Sequence, residues 1–288
     1  MPQQYEERRY ESRDGLELYY RLYPSEAGST ASPVLCLPGL TRNSRDFERL
    51  APLVARHRTV LAPDLRGRGR SQYDPQWARY QPATYLEDVW TLLAHEGIER
   101  TVVVGTSLGG LLAMMMAATR PAALSGIVLN DIGPEVDPAG VARISRYAGK
   151  LPAVANWEEA VAQSREVYGV ALPDLPDEEW HAFARRSYRE DANGRPTLDV
   201  DPMIGEAVRS APNAAAPDLW PLWQALAAVP ALAIRGAHSD ILSSPTFERM
   251  AKEKPDLLRV EIANRGHVPL LDEPAAITAI ESFLAALP

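Results

Sequence analysis

A serine stands between two glycines in Gly105-Thr106-Ser107-Leu108-Gly109, after the β-branched run Thr101 to Val104 and before the apolar stretch Leu108 to Thr119. The first run favours a buried strand and the second a buried helix, so Ser107 falls on the sharp turn between them. A side chain on such a turn projects away from both elements, and the small residues at 105 and 109 let strand and helix approach. The first amides of the new helix lack intrahelical partners and can donate to a negative oxygen beside the serine. A serine hydroxyl needs a base to act as a nucleophile, and the chain has five histidines. His267, in Asn264-Arg265-Gly266-His267-Val268-Pro269, follows the last strand-like run, where the carboxyl ends of parallel strands place functional groups. His57 and His95 sit in a connection and late in a helix, His181 lies in a proline-broken region, and His238 is the rival base. A carboxylate must then fix the imidazole tautomer. Asp240, after the strand-like run 231–234, is the chosen candidate, and Asp131, at the end of the run 124–129, is the alternative. Either aspartate also has an ordinary use as a helix cap or a turn residue.

These groups need a scaffold that brings residues 107, 240 and 267 to one edge. Apolar runs at 33–37, 58–62, 101–104, 124–129, 231–234 and 258–262 read as strands, with an opening hairpin at 5–12 and 16–23 turned by Asp14-Gly15. Helical spacing of apolar residues appears at 44–56, 84–96, 108–119, 244–252 and 274–286, with Pro274 in the first turn of the last. Strands alternating with helices predict a mostly parallel sheet covered on both faces. From 134 to 223 the rhythm changes. Helical stretches are broken by Pro152, Pro173, Pro176, Pro196, Pro202, Pro212 and Pro217, with no strand expected between them, so the chain divides into a core of 1–133 plus 224–288 and an inserted helical cap. Four of the six tryptophans (Trp157, Trp180, Trp220, Trp223) lie in that cap, as an aromatic surface or as its internal packing.

Composition limits the partners. Thirty basic residues against 38 acidic ones give a net charge of -8, which disfavours nucleic acid and anionic lipid and suits a small neutral or apolar substrate. Cys36 is the single cysteine and sits in the apolar run Val34 to Leu37, a core position. The polar amino terminus and the lack of any run approaching ~18 apolar residues predict a soluble cytoplasmic protein, monomer or homodimer. Gly67-Arg68-Gly69 lacks the third glycine of a dinucleotide fingerprint, and no phosphate-binding loop or paired metal ligands occur, so neither cofactor nor metal is expected. Arg66, Arg68 and Arg70 are expected to be ion-paired or solvated.

The order Ser107, Asp240, His267 resembles that of the α/β-hydrolase family. The resemblance spans nearly the whole chain: Leu37-Pro38-Gly39-Leu40 is similar to the family's oxyanion loop, Asp64-Leu65-Arg66-Gly67-Arg68-Gly69-Arg70-Ser71 to its D-x-R-G-x-G-x-S turn, and Gly266-His267 to its histidine loop. It implies a mostly parallel eight-stranded sheet flanked by helices, and an oxyanion hole built from the backbone amides of Leu40 and Leu108. Pro38 replaces the histidine common in that loop, which removes a side chain but not the backbone donors. Serine rather than aspartate at 107 implies attack on a carbonyl through an acyl-enzyme. The expected substrate is a small ester, lactone or thioester with an apolar acyl part. The alternatives are a carbon-carbon hydrolase acting on a vinylogous diketone and a triad-bearing ligand receptor.

Overall fold

A computed structural model describes residues 5–210 and 218–288. Pro212, Pro217 and the first four residues of the polar amino terminus lie outside the described residues. The chain opens with the antiparallel hairpin β1 (Glu6–Glu11) and β2 (Glu17–Tyr23), turned at Gly15 with φ 83°. Then follow β3 (Val34–Leu37), α1 (Leu50–Ala55), β4 (Val60–Pro63), α2 (Pro82–His95), β5 (Thr101–Thr106), α3 (Leu108–Thr119) and β6 (Leu124–Asn130). Between β6 and the next strand of the main sheet come α4 (Pro138–Tyr147), α5 (Trp157–Tyr168), α6 (Asp177–Ser187), β7 (Tyr188–Glu190), β8 (Pro196–Leu198), α7 (Met203–Ser210) and α8 (Trp220–Gln224). The chain closes with β9 (Ala231–Gly236), α9 (Ser244–Glu253), β10 (Leu258–Ile262) and α10 (Pro274–Ala285).

Eight strands form one sheet in the order β1-β2-β4-β3-β5-β6-β9-β10. Only the β1–β2 and β2–β4 pairs are antiparallel; the others run parallel. Every residue of β3, β5, β6 and β9 is buried, as a parallel sheet covered on both faces requires. Two apolar clusters fill the layers. One, under α2, α3 and α8, includes Leu92, Leu112, Met116 and Trp223; the other, under α1 and α10, includes Phe47, Leu50, Ile280 and Phe283. Cys36 is fully buried in the second, and burial pushes its thiol far above its ordinary value.

The structure departs from the expected elements in two places. The helix expected over 44–56 is a 3-10 turn, Ser44–Phe47, followed by α1, because Asn43 caps the Arg45 amide and Asp64 takes the Ser44 amide at 2.7 Å, tightening the first turn. The 134–223 stretch, read as free of strands, contains the antiparallel pair β7–β8. Asp191 turns that hairpin by accepting from the Asn193 and Arg195 amides, and Gly194 takes φ 76°. Strands of three residues are too short for alternation to register, though Asn193-Gly194 was a visible turn signal.

Of the four tryptophans in this connection, Trp180, Trp220 and Trp223 are buried by packing, the last two in the core under α3. Among the described residues, no helix is long and apolar enough to cross a membrane. Gly109 is where α3 meets β3: a methyl group there would overlap the Leu37 carbonyl. Gly109→Ala should therefore cost about 3 kcal/mol, read as a lowered urea midpoint at unchanged slope. An unshifted midpoint would mean that the helix is free to slide from the strand.

Candidate active site

Ser107 occupies φ 51°, ψ -113° between β5 and α3, a conformation disfavoured for any residue with a Cβ. The neighbouring strands over-determine it. The Ser107 amide donates to Asn130 O at 3.0 Å, and the Ser107 carbonyl accepts from the Gly110 and Leu111 amides at 2.9 and 3.0 Å. Strain at this turn lifts the hydroxyl above the sheet edge.

The loop after β10 carries His267, which is buried, with Nε2 3.0 Å from Ser107 Oγ. Its Nδ1 lies 2.7 Å from Asp131 Oδ2. Asp131 is fully buried and accepts two further hydrogen bonds, from the Gly236 amide at 2.8 Å and the Ser239 hydroxyl at 2.6 Å. A carboxylate with three donors cannot swing away, so it fixes the imidazole's orientation. Asn130 adds a brace, its amide nitrogen donating to Thr106 Oγ1 at 3.1 Å and to Pro269 O at 2.9 Å. That side chain joins the ends of β5 and β6 to the histidine loop. The Gly266 amide donates to Ala171 O at 2.8 Å and so ties the same loop to the β6–β9 connection.

The choice of Asp240 is corrected by this geometry. Asp131 ends the strand next to the serine strand, so it reaches the imidazole directly. Asp240 lies four residues past the end of β9, where it turns outward and receives two bonds from Arg143 of α4, at 2.6 and 2.9 Å. Partial burial opposes ionisation there, but the Arg143 guanidinium wins and holds Asp240 below the ordinary carboxylate value. A depressed carboxyl stabilises the folded state above the unfolded group's value and loses that contribution as pH falls through the folded one. The melting-temperature difference between the parent and Asp240→Asn should hence persist at neutral pH and vanish only in acid below the usual carboxylate range. A difference constant through that range would leave Arg143 without a role there.

His238 is exposed on the β9 side and donates only its backbone amide, to Arg265 O, so it does not join the serine. A cavity opens beside Ser107. Its floor is Ser107, His267 and the Gly39–Leu40–Thr41 turn, and its roof is Ile144, Tyr147, Tyr168, Leu172 and Phe183 from the β6–β9 connection. None of the four tryptophans reaches it. Arg42 lines one wall, bonded to Asp46 at 2.8 Å and to the Ser187 hydroxyl, with its guanidinium 4.7 Å from the Phe183 ring centroid. Among the described residues, the Leu40 and Leu108 amides donate to no turn or loop acceptor. Of the arginine trio, Arg66 pairs with Asp14, Asp74 and Asp88, and Arg70 with Glu7, as expected. Arg68, wholly buried, meets neither expectation.

The profile of the alpha/beta hydrolase family matches residues 34–280, and the chain belongs to that family. It is 31% identical over 273 residues to a 3-hydroxybutyrate-oligomer hydrolase of Cupriavidus necator, with 92% of each chain covered. An alpha/beta hydrolase from Novosphingobium aromaticivorans superposes with a TM-score of 0.92 at 45% identity, over 98% of each chain. E-2-(Acetamidomethylene)succinate hydrolase shares the fold, with a TM-score of 0.81 at 22% identity over 98% of this chain and 100% of the other.

Proposed function

We propose that this protein is a serine hydrolase that cleaves small carboxylic esters through an acyl-enzyme on Ser107. The observation that carries the reading is the unbroken hydrogen-bond path from Ser107 Oγ through His267 to Asp131 at the floor of a roofed, largely apolar cavity. His267 Nε2 removes the hydroxyl proton as Oγ adds to the ester carbonyl, and Asp131 stabilises the imidazolium that forms. The Leu40 and Leu108 amides receive the oxyanion; each donor of this kind is worth about 3 kcal/mol of transition-state stabilisation. The alcohol leaves with the proton that His267 returns, and water repeats the sequence on the acyl group.

The described residues of 134–223 serve as the cap that excludes bulk water and supplies the apolar roof. A net charge of -8 and the Leu, Ile and Phe lining both favour a substrate that is uncharged around the scissile ester. The full-length similarity to a 3-hydroxybutyrate-oligomer hydrolase supports esters of short hydroxy acids as the substrate class. The test is turnover of p-nitrophenyl acetate and butyrate together with a fluorophosphonate probe. Stoichiometric labelling of Ser107 that abolishes turnover is expected. Labelling at another serine, or turnover surviving full labelling, would rule the mechanism out.

A further inference from the structure

The cavity beside Ser107 is the first of a series. A second and narrower compartment lies deeper among α4, α5 and the β7–β8 hairpin, and Thr41, Tyr147 and Tyr168 line both. The Tyr147 and Tyr168 rings meet edge to face at 5.9 Å and stand at the junction. A third compartment shares Leu151, Tyr188, Leu198 and Val200 with the second and reaches the surface at the hairpin turn. The second compartment is lined by Gln163, Ser164, Ser187 and Tyr188 between the apolar Leu151, Val167 and Leu198. Tyr188 donates its hydroxyl to Gln163 Oε1 at 2.5 Å, and the Gln163 amide nitrogen donates to Pro152 O at 3.1 Å, which leaves that nitrogen a second hydrogen to offer.

We propose that the second compartment is a subsite for further units of a linear oligoester of a short hydroxy acid, threaded past Tyr147 and Tyr168 toward the hairpin mouth. This rests on the ester-hydrolase reading above. An oligoester repeats an uncharged carbonyl acceptor and an apolar branch in every unit, which matches polar hydroxyl and amide groups set between aliphatic side chains. A simple ester fills only the first cavity. Val167 on α5 lines the second compartment and not the first, so Val167→Phe should obstruct it without touching Ser107. The expected result is a loss of about tenfold or more in kcat/KM on a 3-hydroxybutyrate tetramer, against a change of less than about twofold on p-nitrophenyl acetate. Val167→Leu, a smaller intrusion, should give an intermediate loss on the tetramer alone. Equal retention or equal loss of the two activities in both variants would overturn the subsite. Parent protein that hydrolyses neither ester would remove the underlying reading instead.

A separate observation concerns Arg68. This side chain is 0% exposed, and among the described residues it pairs with no carboxylate. Its Nε donates to Leu40 O at 2.9 Å and Nη1 to Arg66 O at 2.7 Å, Nη2 has no partner, and the guanidinium lies 4.5 Å from the Tyr85 ring centroid. A buried cation neutralised only by carbonyl dipoles and a ring face is costly to keep. Its bond falls on Leu40, which lines the cavity beside Ser107. A Leu40 carbonyl occupied by Arg68 behind the loop cannot rotate toward the ester oxygen, where its lone pairs would repel the developing charge.

We infer that Arg68 is a positioning residue that locks the Leu40–Thr41 peptide and so keeps the oxyanion turn in its working conformation. Arg68→Met retains bulk and removes the donor, and Arg68→Lys restores a donor of different shape. With active sites counted by fluorophosphonate titration, kcat per titrated site should fall by about tenfold or more in Arg68→Met at nearly unchanged KM, and recover in part in Arg68→Lys. A purely structural residue would instead reduce the number of titratable sites and leave kcat per site intact, and that result would overturn the assignment.

Discussion

Replacing Ser107 by alanine should lower kcat on short esters by about 10⁶-fold, the scale on which nucleophile loss operates when the remaining groups act as one unit. The stability cost should be small, within about 0.5 kcal/mol, because the side chain caps no helix amide and alanine inherits the same left-handed backbone that serine already tolerates. The elbow is held by backbone bonds to Asn130, Gly110 and Leu111, none of which uses the hydroxyl. Steady-state turnover, a thermal melt and loss of fluorophosphonate labelling together make the measurement. If kcat stayed within about tenfold of the parent, the attacking group would have to be a water activated by His267, and no acyl-enzyme would form.

Asp131→Asn should cost about 10⁴-fold in kcat, as wrong-tautomer substitutions do in triads of this kind, whereas Asp240→Asn should change it by less than about twofold. The asymmetry follows from donor and acceptor counts. Asp131 receives three hydrogen bonds and gives none; asparagine has one acceptor oxygen and an NH₂ group that must point at a neighbour. Facing His267, that NH₂ would make Nδ1 the acceptor and leave the ring proton on Nε2, toward Ser107, where a lone pair is needed. Asp240 binds Arg143 and neither residue lines the cavity, so its loss weakens one partly buried ion pair away from the reacting groups. The reverse ranking would return the role to Asp240 and require the turn after β9 to fold inward during turnover.

What could be read along the chain was whatever depends on neighbours in sequence. Ser107 was legible because a β-branched run, two small residues and an apolar helix are contiguous, and the sheet rhythm because each strand and helix carries its own period. His267 stood out as the histidine in the loop just past the last strand, with His238, just past β9, as its rival. The opening hairpin announced itself through Asp14-Gly15, and the core position of Cys36 through the unbroken apolar run around it.

The tertiary structure decided what depends on which strands are neighbours in space and which side chains meet across them. Asp131 and Asp240 both follow strands, and only the order β5-β6-β9 puts the first against the imidazole while Arg143 draws the second outward. The tryptophans of 134–223 carried no mark of whether they faced the cavity or the core, and packing under α3 took two of them. Arg68 looked like one of three alternating arginines to be ion-paired or solvated, since nothing local reveals that a carbonyl waits for it 28 residues away. Local propensity and pattern act over a few residues, whereas the choice between two equivalent carboxylates is made by strand pairing and by competing cations, and those exist only once the chain has closed on itself.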